Sequence, residues 1–274
     1  MINAIKNIFK PEKIVLRDGR EIEPPSTKTP YIIIGLAILL FFSAQITNFS
    51  FATMIKRGDQ FFVMLKGMIP PNFEYAKTVM GPLLDTIKMS VLGSIIGSII
   101  AIPFAIIASS NINHSRILLV LVRFILSITR TLPTLIIALV ATYIFDIGTF
   151  AGTIAITIFT FGLVVKMIYE QIETVDMGPF EAMEAVGATK LEAFSGSIIP
   201  QILPSYFSIC LYSFEINVRY AAILGYVGAG GIGLILNESL GWRQYDKVGM
   251  ILLILFITVV LIEYVSKKIR ERLG

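Results

Sequence analysis

Long apolar runs alternate with short polar stretches along this chain. Residues 31–42, 91–108 and 250–262 are nearly unbroken aliphatic and aromatic sequence. A helix rises about 1.5 Å per residue, so roughly 20 apolar residues cross the 30 Å hydrocarbon core of a bilayer. On that criterion the pattern predicts six spans, at 30–49, 87–108, 117–145, 150–169, 202–224 and 248–265. Arg123, Arg130 and Pro133 interrupt the third, and reading that region differently gives five or seven. The expected fold class is an all-α polytopic membrane protein.

Charges between the runs predict an orientation. Lys6, Lys10, Lys13, Arg17, Arg20 and Lys28 precede the first run, and Lys267, Lys268, Arg270 and Arg272 follow the last. Basic residues accumulate on the cytoplasmic side, which places both ends there and requires an even number of spans. Residues 146–149 carry no basic side chain and fall outside. Residues 51–85 also fall outside despite Lys56, Arg57, Lys66 and Lys77, since longer loops obey the rule less strictly. Phe61, Phe62, Leu65, Met68 and Ile69 have near-helical spacing, which predicts an amphipathic helix on the outer surface. The expected organisation is a cytoplasmic tail at 1–29 with a short amphipathic helix at 2–9, then the first span and external segment at 30–85. A core transmembrane domain follows at 86–265, and a second cytoplasmic tail at 266–274.

The longest internal cytoplasmic loop, 170–200, does not read as a plain connector. Gly178-Pro179 breaks the preceding helix and starts a new one, because proline is tolerated at a first helical position. Phe180, Met183 and Val186 then form an apolar stripe, with Glu181 and Glu184 facing elsewhere. Gly187 is a natural stop, and Thr189-Lys190-Leu191-Glu192 matches a capping box for a second short helix. The prediction is a bent two-helix projection suited to docking.

Composition sharpens the exclusions. Hydrophobic residues make up 55% of the 274 positions and charged residues only 15%, where soluble domains carry about 25% charged. An ordinary cytosolic enzyme, a disordered chain and a disulfide-stapled secreted domain are excluded. Cys210 is alone and is expected to pack as a small hydrophobe, and the single His114 removes every multi-histidine metal site. The formal charge of +4 fits basic flanks against membrane lipid better than nucleic-acid binding. The first apolar run starts too late for a cleaved signal. The P-loop pattern for ATP is absent, as are clustered catalytic groups, so neither an enzyme nor a cofactor is expected.

Glu181-Ala182-Met183, Gly187 and Ile199-Pro200 resemble the E-A-A…G…I-x-L-P loop of ABC-importer permeases. Met183 stands where a second alanine is usual and Ser197 where isoleucine is usual; both keep the loop helical and bent. Arg130-Thr131-Leu132-Pro133, Pro200-Gln201-Ile202-Leu203-Pro204, Glu215-Ile216-Asn217-Val218-Arg219 and residues 225–233 are similar to the phosphonate branch of that family, as is Ile69-Pro70-Pro71-Asn72-Phe73. The resemblance runs from about Phe61 to the C-terminus. It implies the type I importer permease fold in a bacterial cytoplasmic membrane. It also implies two ATPase subunits, an extracytoplasmic phosphonate-type binding protein and a permease dimer. It makes Gly178, Phe180, Glu181, Ala182, Met183, Glu184, Gly187, Ala188, Thr189 and Lys190 the expected ATPase-coupling residues.

Arg130, Pro133, Glu215, Asn217, Arg219, Gly228, Gly230, Gly231 and Gly233 are the expected pathway and gate residues. Residues 228–233 satisfy G-x-G-x-x-G, but no strand precedes them, so a dinucleotide site is not expected. Close backbone packing and a flexible gate are the two readings, and the resemblance favours a gate. A charge at the bilayer centre costs about 2.5–3.5 kcal/mol on insertion scales, so Arg130 and Arg219 are expected to face protein or water. Lys88 and Arg123 are expected to snorkel to the interfaces, and Arg219 either pairs with Glu215 one turn earlier or serves the pathway. Other classes remain open: an ABC permease for another solute, an ion-coupled transporter using Glu215 or Glu263, or a membrane scaffold.

Overall fold

The structure is a computed structural model describing residues 14–15, 19, 21–22 and 28–273. The helix expected at 2–9 and most of the expected N-terminal tail lie outside the described residues. The chain divides into two compact units, 1–63 and 64–274.

The first unit holds a short antiparallel pair, β1 (Ile14–Val15) and β2 (Glu21–Ile22), with Ile14 opposite Ile22. It also holds α1 (Thr29–Ile46) and most of α2 (Phe51–Gly67). Helix α1 is apolar on every side, a composition that suits lipid on all faces. The amphipathic segment expected over 61–69 is helical only as far as Gly67, leaving Met68 and Ile69 beyond it, and its helix begins ten residues earlier, at Phe51.

The second unit is built around α3 (Ala76–Ala108) and α6 (Thr149–Thr174). Buried small residues recur along α3: Ser90, Gly93, Ser94, Gly97, Ser98, Ala101 and Ala105. A Cβ on Gly93 would sit 2.6 Å from Ile156, and one on Gly97 only 2.8 Å from Thr160. The two backbones are therefore nearly in contact, the packing mode that drives helix association in lipid. Around this pair stand α4 (Arg116–Thr131), α5 (Thr134–Phe145), α9 (Ile199–Leu224) and α11 (Tyr245–Leu273). The two short helices α7 (Gly178–Ala185) and α8 (Lys190–Ala193) join α6 to α9.

Four helical segments are long and apolar enough to cross a membrane alone, and two bent pairs raise the count to six. The second span starts at Ala76, earlier than the expected residue 87. Asp85 and Lys88 do not interrupt it, because they pair at 3.4 Å on its exposed side. The third region is not one rod. Helices α4 and α5 meet at 86°, with Leu132 extended ahead of Pro133, which has no N–H to continue the ladder. At twelve residues, α5 rises only about 18 Å and cannot cross alone. The last helix runs through the expected 266–274 tail as far as Leu273. A helix the pattern did not announce, α10 (Ile232–Gly241), follows the glycine-rich segment.

Candidate functional site

The α7–α8 projection is locally well determined. Asp176 Oδ1 accepts the Gly178 N–H at 2.9 Å and opens α7. At its other end Gly187 has φ +95°, and Ala188 N and Gly187 N donate to Met183 O and Glu184 O, both at 3.0 Å. These are the paired bonds of a glycine C-cap. The capping box of α8 is complete. Thr189 Oγ1 accepts the Glu192 N–H at 3.3 Å, while Glu192 Oε2 accepts from Thr189 N at 2.8 Å and Thr189 Oγ1 at 2.7 Å. Those bonds hold the Glu192 carboxyl below its usual pKa range.

The expected Phe180–Met183–Val186 stripe needs correction. Phe180 is buried and Met183 rests on Gly196, but Val186 is 85% exposed. A three-residue step advances 300°, so the row drifts by about 60° each time and Val186 leaves the buried face. Val186 and Leu191 instead present bare apolar surface beside Gly187, with Ala182, Glu181, Glu184 and Lys190 also exposed.

Two supports of this projection were not recognised in the sequence. Gln201, on the first turn of α9, accepts from Asp176 N at 3.1 Å and donates to Asp176 O and Ser197 O at 3.0 Å. It ties the start of the projection to its end. Arg123 has fixed partners: it donates to Ala108 O at 2.8 and 3.0 Å, pairs with Glu173 and covers the Tyr169 ring at 4.7 Å. Glu173 also accepts the Ser110 N–H at 2.7 Å, so α3, α4 and α6 are joined at the end where the projection emerges.

Among the expected pathway residues, Glu215 is buried and pairs with both Arg219 and Arg270, the latter at 3.1 Å. Arg219 also reaches Glu263 at 3.2 Å. Four charges thus cancel between α9 and α11. Asn217 is fully buried and donates to Ser94 Oγ and Thr160 Oγ1, each at 2.7 Å, pinning three helices. Arg130 and Pro133 share a separate cavity of about 520 Å³ with Phe159 and Tyr220, and Arg219 does not line it.

The glycine segment is packed in this conformation. Gly228, Gly230 and Gly231 all have positive φ, and a Cβ on Gly230 would meet Thr149 N at 2.7 Å. Gly228 O accepts the Gly148 N–H at 3.0 Å. Beyond it, Thr86 Oγ1 accepts the buried Ile232 N–H at 2.8 Å and donates to Pro82 O at 2.9 Å. Thr86→Val keeps the shape but leaves the Ile232 N–H unpaired, and is expected to cost about 1–3 kcal/mol. A lower unfolding temperature in detergent is the predicted result; an unchanged one would remove Thr86 from the account.

Membrane-length helices joined by a bent, capped projection define the class: a polytopic α-helical membrane protein. Residues 101–271 match the family described as binding-protein-dependent transport system inner membrane component, and the chain belongs to that family. It is 31% identical over 243 residues to the phosphate-import permease protein PhnE of Mycolicibacterium smegmatis, covering 88% of this chain and 45% of that one. It is also 31% identical over 241 residues to the phosphite transport system permease protein PtxC of Stutzerimonas stutzeri, covering 88% and 86%. The chain thus spans less than half the length of the first relative and most of the second. The fold resembles inward-facing crystal structures of the MetNI methionine ABC transporter. One matching chain has a TM-score of 0.65 at 24% identity, covering 74% of this chain and 99% of its own.

Proposed function

We propose that this chain is the membrane permease subunit of an ATP-driven importer, moving a phosphorus oxyanion into the cytoplasm. The observation that carries the reading is the α7–Gly187–α8 projection: rigid, capped at both turns, and tipped by exposed Val186 and Leu191. An exposed apolar pair flanked by Glu181 and Glu184 is a docking surface for a protein partner. The partner is one of two copies of a separate ATPase, and a second permease copy completes the pathway. Cargo arrives on an extracytoplasmic binding protein, and both chain ends are cytoplasmic. Relatives named for phosphate and phosphite transport support the cargo class.

The projection acts as a lever. Gln201 ties its start to the first turn of α9, and the Arg123–Glu173 pair joins α4 to the end of α6 from which the projection leaves, so displacement at α7 reaches the spans. The ion-coupled alternative is weakened, because Glu215 and Glu263 are both engaged by arginines. Gly187→Val tests the lever. No atom blocks a side chain there, but a β-branched residue at φ +95° carries about 1–3 kcal/mol of backbone strain. In proteoliposomes with the ATPase and binding protein, the variant is expected to hydrolyse ATP without driving uptake. Normal coupling would contradict the lever.

A further inference from the structure

We infer that the cavity at the α4–α5 break is an oxyanion-binding station, in which Arg130 supplies the charge. The inference rests on the importer reading, because it names a stopping point for the proposed cargo. Its basis is the chemistry of the lining. Arg130 is the cavity's one charged residue, and no carboxylate lines the space. Among the described residues, Arg130 has no ion-pair partner, in contrast to Arg123, Arg219 and Arg270.

Two of the lining hydroxyls are free to donate. Thr134 Oγ1 and the Tyr220 hydroxyl line the cavity and have no hydrogen-bond partner among the described residues. Phe159 packs edge-on against the Tyr220 ring at 5.3 Å and holds it there. The 86° break ends one helix and starts the next: Thr134 and Leu135, the first residues of α5, donate their N–H to no carbonyl among the described residues, while the last carbonyls of α4 end at the same break. Thr129 and Thr131 donate their hydroxyl hydrogens to Ile125 O and Ile128 O, so at the cavity they present acceptor oxygens only, and the charge of Arg130 has to outweigh them. A guanidinium, two hydroxyls and two free amides with no opposing carboxylate suit a small multivalent anion. The cavity exceeds the volume of one such anion, and its other wall is apolar, from Phe159, Leu163, Ile223 and Leu224. It therefore accepts an oxyanion carrying an organic substituent as readily as an inorganic one.

The Arg130 side chain is placed by a glycine. A Cβ on Gly162 would lie 3.1 Å from Arg130 Cγ, so the arginine stem lies directly on the α6 backbone. A larger side chain at Gly162 moves the guanidinium without removing its charge.

The test is 31P line broadening of methylphosphonate, phosphite and phosphate by the detergent-purified full chain. Arg130→Gln and Gly162→Leu are compared with wild type, with Arg130→Lys as the charge-keeping control. Losing a charged hydrogen-bond donor weakens binding about tenfold or more, so broadening should nearly vanish in the first two variants and survive partly in the lysine variant. Equal broadening in wild type and Arg130→Gln, or none in wild type, would overturn the station. Neither result touches the parent reading, which fails separately if the chain does not hold an ATPase.

Discussion

Gly233→Ala is expected to prevent recovery of folded protein, or to lower its unfolding temperature by about 10 °C, while Gly35→Ala leaves it unchanged or raises it. Both changes add one methyl group. At Gly233 that methyl meets Gly225 Cα at 2.8 Å and collides with Ala222 O, and neither backbone atom belongs to a side chain that could rotate away. Overpacking of this kind costs about 1–3 kcal/mol and more when the backbone must move. The crossing of α9 with α10 would open, and with it the seat of the Ile232 N–H on Thr86. A Cβ on Gly35, mid-helix in α1, meets nothing within 4 Å and no proline follows it, so only the gain in helix propensity remains, about 0.5–1 kcal/mol. Equal behaviour of the two variants in a detergent melting experiment would show that the glycine segment is loosely packed.

Glu215→Gln carries the second largest expected effect. The carboxylate is buried and shared by Arg219 and Arg270. Arg219 would retain Glu263, but no other carboxylate pairs with Arg270 among the described residues. Arg270 is 26% exposed, so water offsets part of the loss, and the expected cost is about 1.5–3 kcal/mol, below that of a fully buried pair. Arg270→Gln on the Glu215→Gln background should recover part of the loss, since the stranded charge is then removed. Additive losses in a double-mutant cycle would mean that the two side chains do not interact.

What could be read from the sequence follows from how local each signal is. The capping box at Thr189–Glu192 and the left-handed stop at Gly187 depend on residues a few positions apart, and both are present. The break at Pro133 was legible because the missing N–H is intrinsic to that residue. Its 86° angle was not, since a proline removes one N–H but does not fix the angle of the break. The pairing of Arg123 was not legible, because Glu173 lies 50 residues away, on another helix. The same limit hid Gln201, which reaches back 25 residues to Asp176, and Arg270, which reaches 55 residues to Glu215. Val186 was misplaced for a different reason. A three-residue repeat approximates the helical period over one turn, but not over two.

Pathway residues divide along the same line. Glu215–Arg219 was predictable as an i, i+4 pair. That Arg219 would be neutralised while Arg130 would keep an open cavity depended on α11 and on the bend, neither of which is encoded near those arginines.

The central claim is that the 178–190 projection docks on a separate ATPase. Its most direct measurement is recovery of a phosphonate-class ABC ATPase with the full chain in mild detergent, comparing wild type with a Glu181→Lys, Gly187→Val double variant. The account predicts that wild type retains the ATPase and the double variant releases it, with both permeases showing the same unfolding temperature within about 4 °C, since a strain of 1–3 kcal/mol at one exposed turn is local. Equal retention by both, or retention by neither, would contradict it.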